Sequence, residues 1–183
     1  MYNSYEDYKE DKSMDSHLKL LNWQNITSMD GRENLGVEMP VMVYRLMQYG
    51  IFDELSDLYS PETAKDIIRG AGWRVGMAVG ENALDKTQEF SVFVGQLQKL
   101  LKDLKIGVLK IEDIDEETNE FILTVAEDLD CSGLPLLDET ICYYDEGFIA
   151  GVLEFYTGEK YVVREVDCWA SGDRVCRFKA YQG

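Results

Sequence analysis

The chain has 183 residues, 45% of them hydrophobic, which is enough for one domain with a sizeable core. Its 35 acidic and 18 basic residues give a formal net charge of -17 at pH 7. This charge repels nucleic-acid phosphates and anionic lipid head groups, so we expect neither a nucleic acid nor a membrane as a direct partner.

The start of the chain is polar and charged, and residues 1–32 are predicted to form a loosely held arm before a single domain at 33–183. The sequence has no run of about 18 apolar residues and no apolar segment typical of a signal peptide. We therefore expect a cytoplasmic protein. In that compartment cysteines serve as thiols or metal ligands more often than as disulfides.

Three helical patterns follow the arm. Apolar residues recur at helical spacing over 41–59. Ser60 and Pro61 then provide an N-cap and a proline at the first helical position, and the apolar stripe behind them continues to Ala78. A third helix has its apolar face within 90–104.

Three glycines lie four residues apart on the second of these helices, at Gly72, Gly76 and Gly80. Because glycine has no side chain, another backbone can approach this face closely. The spacing therefore predicts either a tight helix crossing or a dimer contact.

The pattern then changes to that of strands. Apolar runs at 108–111 and 121–125 flank a polar turn and predict a β-hairpin. A further helix ending at Gly158 is followed by strand-like runs at 161–166 and 175–181, which predict a second hairpin. Helices that precede antiparallel strands indicate an α+β fold, with N-terminal helices packed on a sheet of hairpins.

The second hairpin brings candidate metal ligands together. If it folds symmetrically about residues 170–171, Glu165 lies opposite Cys176. Cys168 then sits just inside the loop and can fold over the same spot.

A third sulfur comes from Cys142, near the start of a helix predicted from Asp138, where backbone N–H groups favour a thiolate. Three thiolates and one carboxylate suit Zn²⁺, and four protein ligands make a structural site. The alternative is that the cysteines are small core residues and Glu165 is a solvated strand charge. Spacing alone leaves both open, because no paired C-x-x-C units are present.

Three segments carry a more specific pattern: CYYDEGFIAG from Cys142, REVDC from Arg164 and GDRVCRF from Gly172. Together they resemble the 4-vinyl reductase domain family. The resemblance implies a mixed helix-and-sheet fold like that of the TRAPP vesicle-tethering subunits, usually dimeric and with a buried cavity.

In phenol-sensing members of this family, zinc is held by one cysteine, then a glutamate, then two more cysteines. The matching residues here are Cys142, Glu165, Cys168 and Cys176. Cys131 lies outside the pattern and is interpreted as a loop or core thiol.

The resemblance also places the lining of a ligand pocket near Val163 and Phe178. The phenol sensors grip the phenolic hydroxyl with a histidine and a tryptophan, whereas the single histidine here, His17, lies in the polar arm. The position two before the zinc glutamate is aromatic in those sensors and is Val163 here. We therefore expect a ligand other than phenol.

The sequence is compatible with three functions. The first is a sensor domain that binds a small hydrophobic or aromatic molecule, contains structural zinc, forms a homodimer and acts through a separate signalling partner. The second is a tetrapyrrole-related vinyl reductase or its accessory, but the sequence has no Gly-rich dinucleotide loop and no nucleophile with a placed histidine, so no enzyme is expected. The third is a structural assembly subunit.

Overall fold

The computed structural model describes residues 21–28, 30–115 and 117–183. The chain divides into two compact units, residues 1–67 and 68–183, and the boundary falls inside a helix. Most of the predicted arm, residues 1–20, lies outside the described residues. The single domain expected at 33–183 stays a prediction.

The first unit contains α1 (Trp23–Thr27), α2 (Val41–Leu58) and the start of α3 (Pro61–Ala83). α2 confirms the first predicted helix, and none of its residues is buried. Ser60 caps α3 as predicted, because its hydroxyl oxygen accepts a hydrogen bond of 3.2 Å from the N–H of Thr63.

The second unit contains the rest of α3, two further helices, four strands and a short 3₁₀ turn. These elements are α4 (Phe90–Asp103), β1 (Val108–Asp115), β2 (Glu120–Ala126), α5 (Tyr143–Thr157), β3 (Tyr161–Asp167), the turn Trp169–Ser171 and β4 (Cys176–Gln182). The strands form one antiparallel sheet in the order β1-β2-β4-β3. Both predicted hairpins and the α+β class are confirmed. None of the helices in the described part of the chain combines the length and apolarity needed to cross a bilayer.

The start of α5 corrects one prediction. The helix expected from Asp138 begins five residues later, at Tyr143, with Cys142 as the residue before its first turn. Asp138 has φ 58°, in the left-handed region, which a helix start does not use. The end is as predicted, because Gly158 adopts φ 80° and its N–H donates to the carbonyl of Glu154.

The register of the second hairpin also differs from the prediction. Glu165 lies opposite Phe178, not Cys176, and a register shift follows before Asp167. The connection is not a symmetric turn: a 3₁₀ turn closed by Gly172 at φ 108° uses extra residues, so β4 starts only at Cys176. Since the shift is two residues, each side chain keeps its expected face.

One face of this sheet is buried. Alternate residues on β2, β3 and β4 are inaccessible to solvent, and α5 packs against β3. The buried apolar residues of these strands are Phe121, Leu123, Val125, Tyr161, Val163, Phe178 and Ala180.

The glycines of α3 form a tight helix crossing with α5, which resolves the two alternatives left by the sequence. A Cβ on Gly72 would overlap the backbone carbonyl of Tyr144. The contact is reciprocal, since a Cβ on Gly147 would overlap the backbone carbonyl of Arg69. The two backbones therefore touch without side chains between them.

Replacing Gly147 with alanine should lower the free energy of unfolding by about 2 kcal/mol, because the new methyl group forces the two helices apart. Gly95→Ala is the matched control: it lies in α4, and no atom lies within 4 Å of the position that its Cβ would take. The control should be neutral or stabilising by up to about 1 kcal/mol. Equal effects in urea unfolding would contradict the crossing.

Candidate metal centre

Four cysteine sulfurs converge within the second unit. Their Sγ atoms all lie within 4.8 Å of one another, and all four residues are at most 1% exposed. None forms a disulfide. The four residues are Cys131, Cys142, Cys168 and Cys176.

Three segments of chain supply these sulfurs. Cys131 lies in the loop after β2, Cys142 directly precedes α5, and Cys168 and Cys176 flank the connection between β3 and β4. Sγ of Cys142 is 3.8 Å from Sγ of Cys168 and 3.8 Å from Sγ of Cys176. Sγ of Cys131 is 3.1 Å from that of Cys176.

These distances fit a tetrahedral metal ion. Four thiolates about 2.3 Å from a central Zn²⁺ lie about 3.8 Å from one another. The two separations of 3.8 Å from Cys142 equal this distance. The 3.1 Å separation between Cys131 and Cys176 would lengthen by about 0.7 Å on binding the ion. The donor set, soft sulfur in a buried setting, also suits zinc.

Glu165, the predicted carboxylate ligand, lies beside this group but outside it. Its Oε2 accepts a hydrogen bond of 2.9 Å from the backbone N–H of Cys142. Its Oε1 is buried without a hydrogen-bond partner, and burial raises the pKa of the carboxyl to about 8. The structure thus gathers the three predicted cysteines, while the full ligand set and the zinc ion stay predictions.

Cys131 is the residue that the sequence interpretation left out. It was expected to lie outside the cluster, but the structure buries it against Cys176. The reason is that β2 pairs with β4, which sets Val125 opposite Cys176 and directs the loop after β2 toward the same point. The signal available in the sequence was a fourth cysteine a few residues beyond a predicted strand.

The sulfurs differ in acidity because they hydrogen-bond to one another. Hydrogen bonds from Cys131, then Cys142 and Cys176, lower the pKa of Cys168. Hydrogen bonds with Cys131, Cys168 and Cys176 raise the pKa of Cys142. A bound cation would favour the thiolate form of all four sulfurs.

Two buried aspartates lie next to the cluster. Oδ1 of Asp128 accepts from the N–H groups of Asp130 and Cys131 and lies 3.9 Å from Sγ of Cys142. Oδ2 of Asp145 is buried without a hydrogen-bond partner, and burial raises the pKa of this carboxyl well above its usual range. Burial therefore disfavours the charged form of the Asp145 carboxyl, and a cation bound nearby would favour its ionisation.

A buried ion pair ties α3 to α5 and β3 near the same place. The carboxylate of Glu146, 3% exposed, pairs with the guanidinium of Arg69. Its other oxygen accepts a hydrogen bond of 2.8 Å from the backbone N–H of Glu165. Glu146 therefore fixes the strand that positions Glu165.

The two predicted pocket residues lie on the buried sheet face. Val163 pairs with Ala180, and Phe178 pairs with Glu165, so Val163 and Phe178 are diagonal neighbours on adjacent strands. Both side chains are fully enclosed.

One segment of the chain matches a known protein family, and it contains α5, all four cysteines and most of the sheet. Residues 121–182 match the model of the 4-vinyl reductase domain. The resemblance to the 4-vinyl reductase family is thereby confirmed, and the matched residues include every cysteine of the cluster.

Other proteins resemble more of the chain. An uncharacterized protein of Methanocaldococcus jannaschii is 26% identical over 144 residues, 79% of this chain and 76% of that protein. The crystal structure of a vinyl-4-reductase family protein from the same organism has a TM-score of 0.58 at 19% identity and covers 81% of this chain and 85% of that one.

Two further solved structures share the fold. The phenol-responsive sensory domain of the transcription activator PoxR, with phenol, has a TM-score of 0.61 at 15% identity, covering 80% of this chain and 76% of that one. A trafficking protein particle complex subunit 3 from Naegleria fowleri, covalently bound to palmitic acid, has a TM-score of 0.61 at 14% identity, covering 78% and 95%. The expected fold, shared with 4-vinyl reductase domains and TRAPP subunits, is confirmed.

Replacing Arg69 with methionine should cost about 3 kcal/mol of unfolding free energy, because it removes the nearer cation of the buried Glu146 carboxylate and leaves only the half-exposed guanidinium of Arg164, 3.8 Å away. Lys99→Met is the control, since it breaks an exposed ion pair with Asp103 and should cost less than about 1 kcal/mol. Denaturant unfolding measures both. Similar losses in the two variants would show that the Glu146 pair does not fix this region.

Proposed function

We propose that the chain is a small-molecule-binding domain that encloses a hydrophobic or aromatic ligand and acts through a separate signalling partner. The observation that carries this proposal is the 4-vinyl reductase domain match over 121–182 on a fold shared with PoxR's phenol-responsive domain. The palmitic acid bound to the Naegleria fowleri subunit supports an apolar ligand.

We place the ligand against the buried face of β3 and β4. Val163 and Phe178 present adjoining apolar surface there, next to the side of β3 on which α5 packs. Val163 is smaller than the aromatic residue that the phenol sensors have at this position, so the proposed wall has a different shape. The ligand therefore differs in shape from phenol.

The cysteine cluster is proposed to bind structural zinc. Four protein ligands leave no open coordination position for a reacting water, so the ion would act as a cross-link. It would join the loop after β2, the start of α5 and the β3–β4 connection. The zinc site would therefore hold the ligand-binding face in shape and take no part in chemistry.

A homodimer is also proposed. The helix α2 exposes several large apolar side chains that monomeric proteins rarely leave in water together, namely Met42, Leu46, Met47 and Ile51. The same observation favours the second candidate function, a structural assembly subunit. A reductase ranks below both, because the sequence has no Gly-rich dinucleotide loop to bind a nicotinamide cofactor.

Native mass spectrometry of the full chain, taken directly from cells, tests the binding function. We expect two chains per particle and an additional small-molecule mass. Val163→Ala should reduce retention of that molecule about tenfold, because it removes apolar contact from the proposed wall. Val166→Ala, on the exposed face of the same strand, is the control. Preparations that contain only chain and metal would favour the assembly subunit.

Cys168→Ser tests the structural role of the metal. The wild-type chain should contain about one zinc ion, and the variant should lose most of it together with several degrees of melting temperature. Elemental analysis and thermal unfolding measure the two effects. A wild-type protein that keeps its melting temperature after complete chelation of zinc would contradict the structural site.

A further inference from the structure

We propose that Cys131 supplies the fourth ligand of the metal centre and that Glu165 supplies none. This inference rests on the proposed metal site and changes its chemistry from three sulfurs and one carboxylate to four sulfurs. The site would then be an all-thiolate centre for a single thiophilic metal ion.

The mutual distances select the four sulfurs. Two sets of ligand atoms lie within 4.8 Å of one another among the described residues: the four cysteines, which supply four donors, and Asp128, Cys142 and Asp145, which supply three; Glu165 belongs to neither. If Glu165 were the fourth ligand, the thiol of Cys131 would remain 3.1 Å from the ligating sulfur of Cys176. A single central ion would give both sulfurs a common partner, with their separation opening to about 3.8 Å.

Cys131 is held in place by its own loop. Oδ1 of Asp128 accepts hydrogen bonds of 2.8 Å from the N–H of Asp130 and 3.1 Å from the N–H of Cys131. The N–H of Leu134 donates to the carbonyl of Cys131 at 3.0 Å. The cysteine therefore enters the cluster from a fixed backbone, as a preorganised metal ligand requires.

Glu165 instead acts as a positioning residue. Its Oε2 accepts from the backbone N–H of Cys142, and its own N–H donates to Glu146. The carboxylate therefore fixes the backbone that presents one ligating sulfur. Outer residues of this kind orient metal ligands and typically change affinity about 10- to 100-fold when replaced.

The geometry also limits the kind of metal. A cluster with two or more irons binds its cysteines on different irons, which spreads the sulfurs farther apart than a single ion does. Four sulfurs within 4.8 Å of one another fit one ion. Zn²⁺ is the expected occupant, and a related thiophilic divalent ion such as Co²⁺ can replace it as a probe.

Co²⁺ added to the metal-depleted full chain reports the ligands through its sulfur-to-cobalt absorption, whose intensity follows the number of thiolates. Cys131→Ser should lower this intensity by about one quarter, from four thiolates to three. Glu165→Gln should leave both this intensity and the visible d–d bands, which shift when an oxygen ligand is lost, unchanged while weakening Co²⁺ affinity about 10- to 100-fold. Ser132→Ala, in the same loop, should change neither quantity.

Shifted d–d bands in Glu165→Gln at saturating Co²⁺, or an unchanged sulfur-to-cobalt band in Cys131→Ser, would overturn the assignment. Should Cys131→Ser not fold, ¹¹³Cd resonance of the wild-type chain loaded with Cd²⁺ decides, because four-thiolate and mixed sulfur–oxygen sites differ in chemical shift. A wild-type chain with a three-sulfur spectrum refutes the inference and leaves the metal site intact. A wild-type chain that binds neither Co²⁺ nor Cd²⁺ refutes the metal site as well. Native mass spectrometry tests the binding of the small molecule independently of these results.

Discussion

The second unit buries several polar groups in one small region, and each of them needs a partner because water is excluded there. Burying an unpaired charge or hydrogen-bonding group costs several kcal/mol, on the order of the stability of a whole domain. The carboxylate of Glu146 has Arg69, and that of Asp128 has backbone N–H groups. The cysteine sulfurs contact one another and Asp128, and none of these partners carries a positive charge, so a shared metal ion is the partner that would stabilise them together.

The close crossing of α3 and α5 makes this arrangement possible. Without side chains at Gly72 and Gly147, the two helix backbones touch. Arg69 can then reach Glu146, and Glu146 can reach the edge of β3. The helix crossing therefore allows the Arg69–Glu146 ion pair to form, the ion pair fixes the position of β3, and β3 positions the residues around the sulfurs. The apolar face of the sheet beside them is the proposed ligand site.

Local features of the fold could be predicted from the sequence. The sequence correctly predicted the helix periodicity, the N-cap at Ser60, the helix end at Gly158 and both hairpins. Each of these features depends on residues that are close together in the chain. The start of α5 was missed, since Asp138 carries the sequence signature of a helix start but adopts a left-handed conformation. The hairpin register was missed because a 3₁₀ turn at 169–171 lengthens the connection.

The candidate site shows the same division. Cys142, Cys168 and Cys176 could be named because a family pattern includes them. Cys131 could not, since its position depends on the pairing of β2 with β4, residues about fifty apart in the chain. The Arg69–Glu146 pair likewise depends on two helices that are distant in sequence.

The arrangement of the second unit is proposed to depend on four cysteines that bind one metal ion in the folded protein. X-ray absorption at the metal edge, on protein purified from cells without added metal, tests it most directly. The account predicts one zinc ion per chain with four sulfurs at about 2.3 Å and no oxygen bound to the ion. An oxygen ligand in place of one sulfur, or a folded protein with no bound metal, would contradict it.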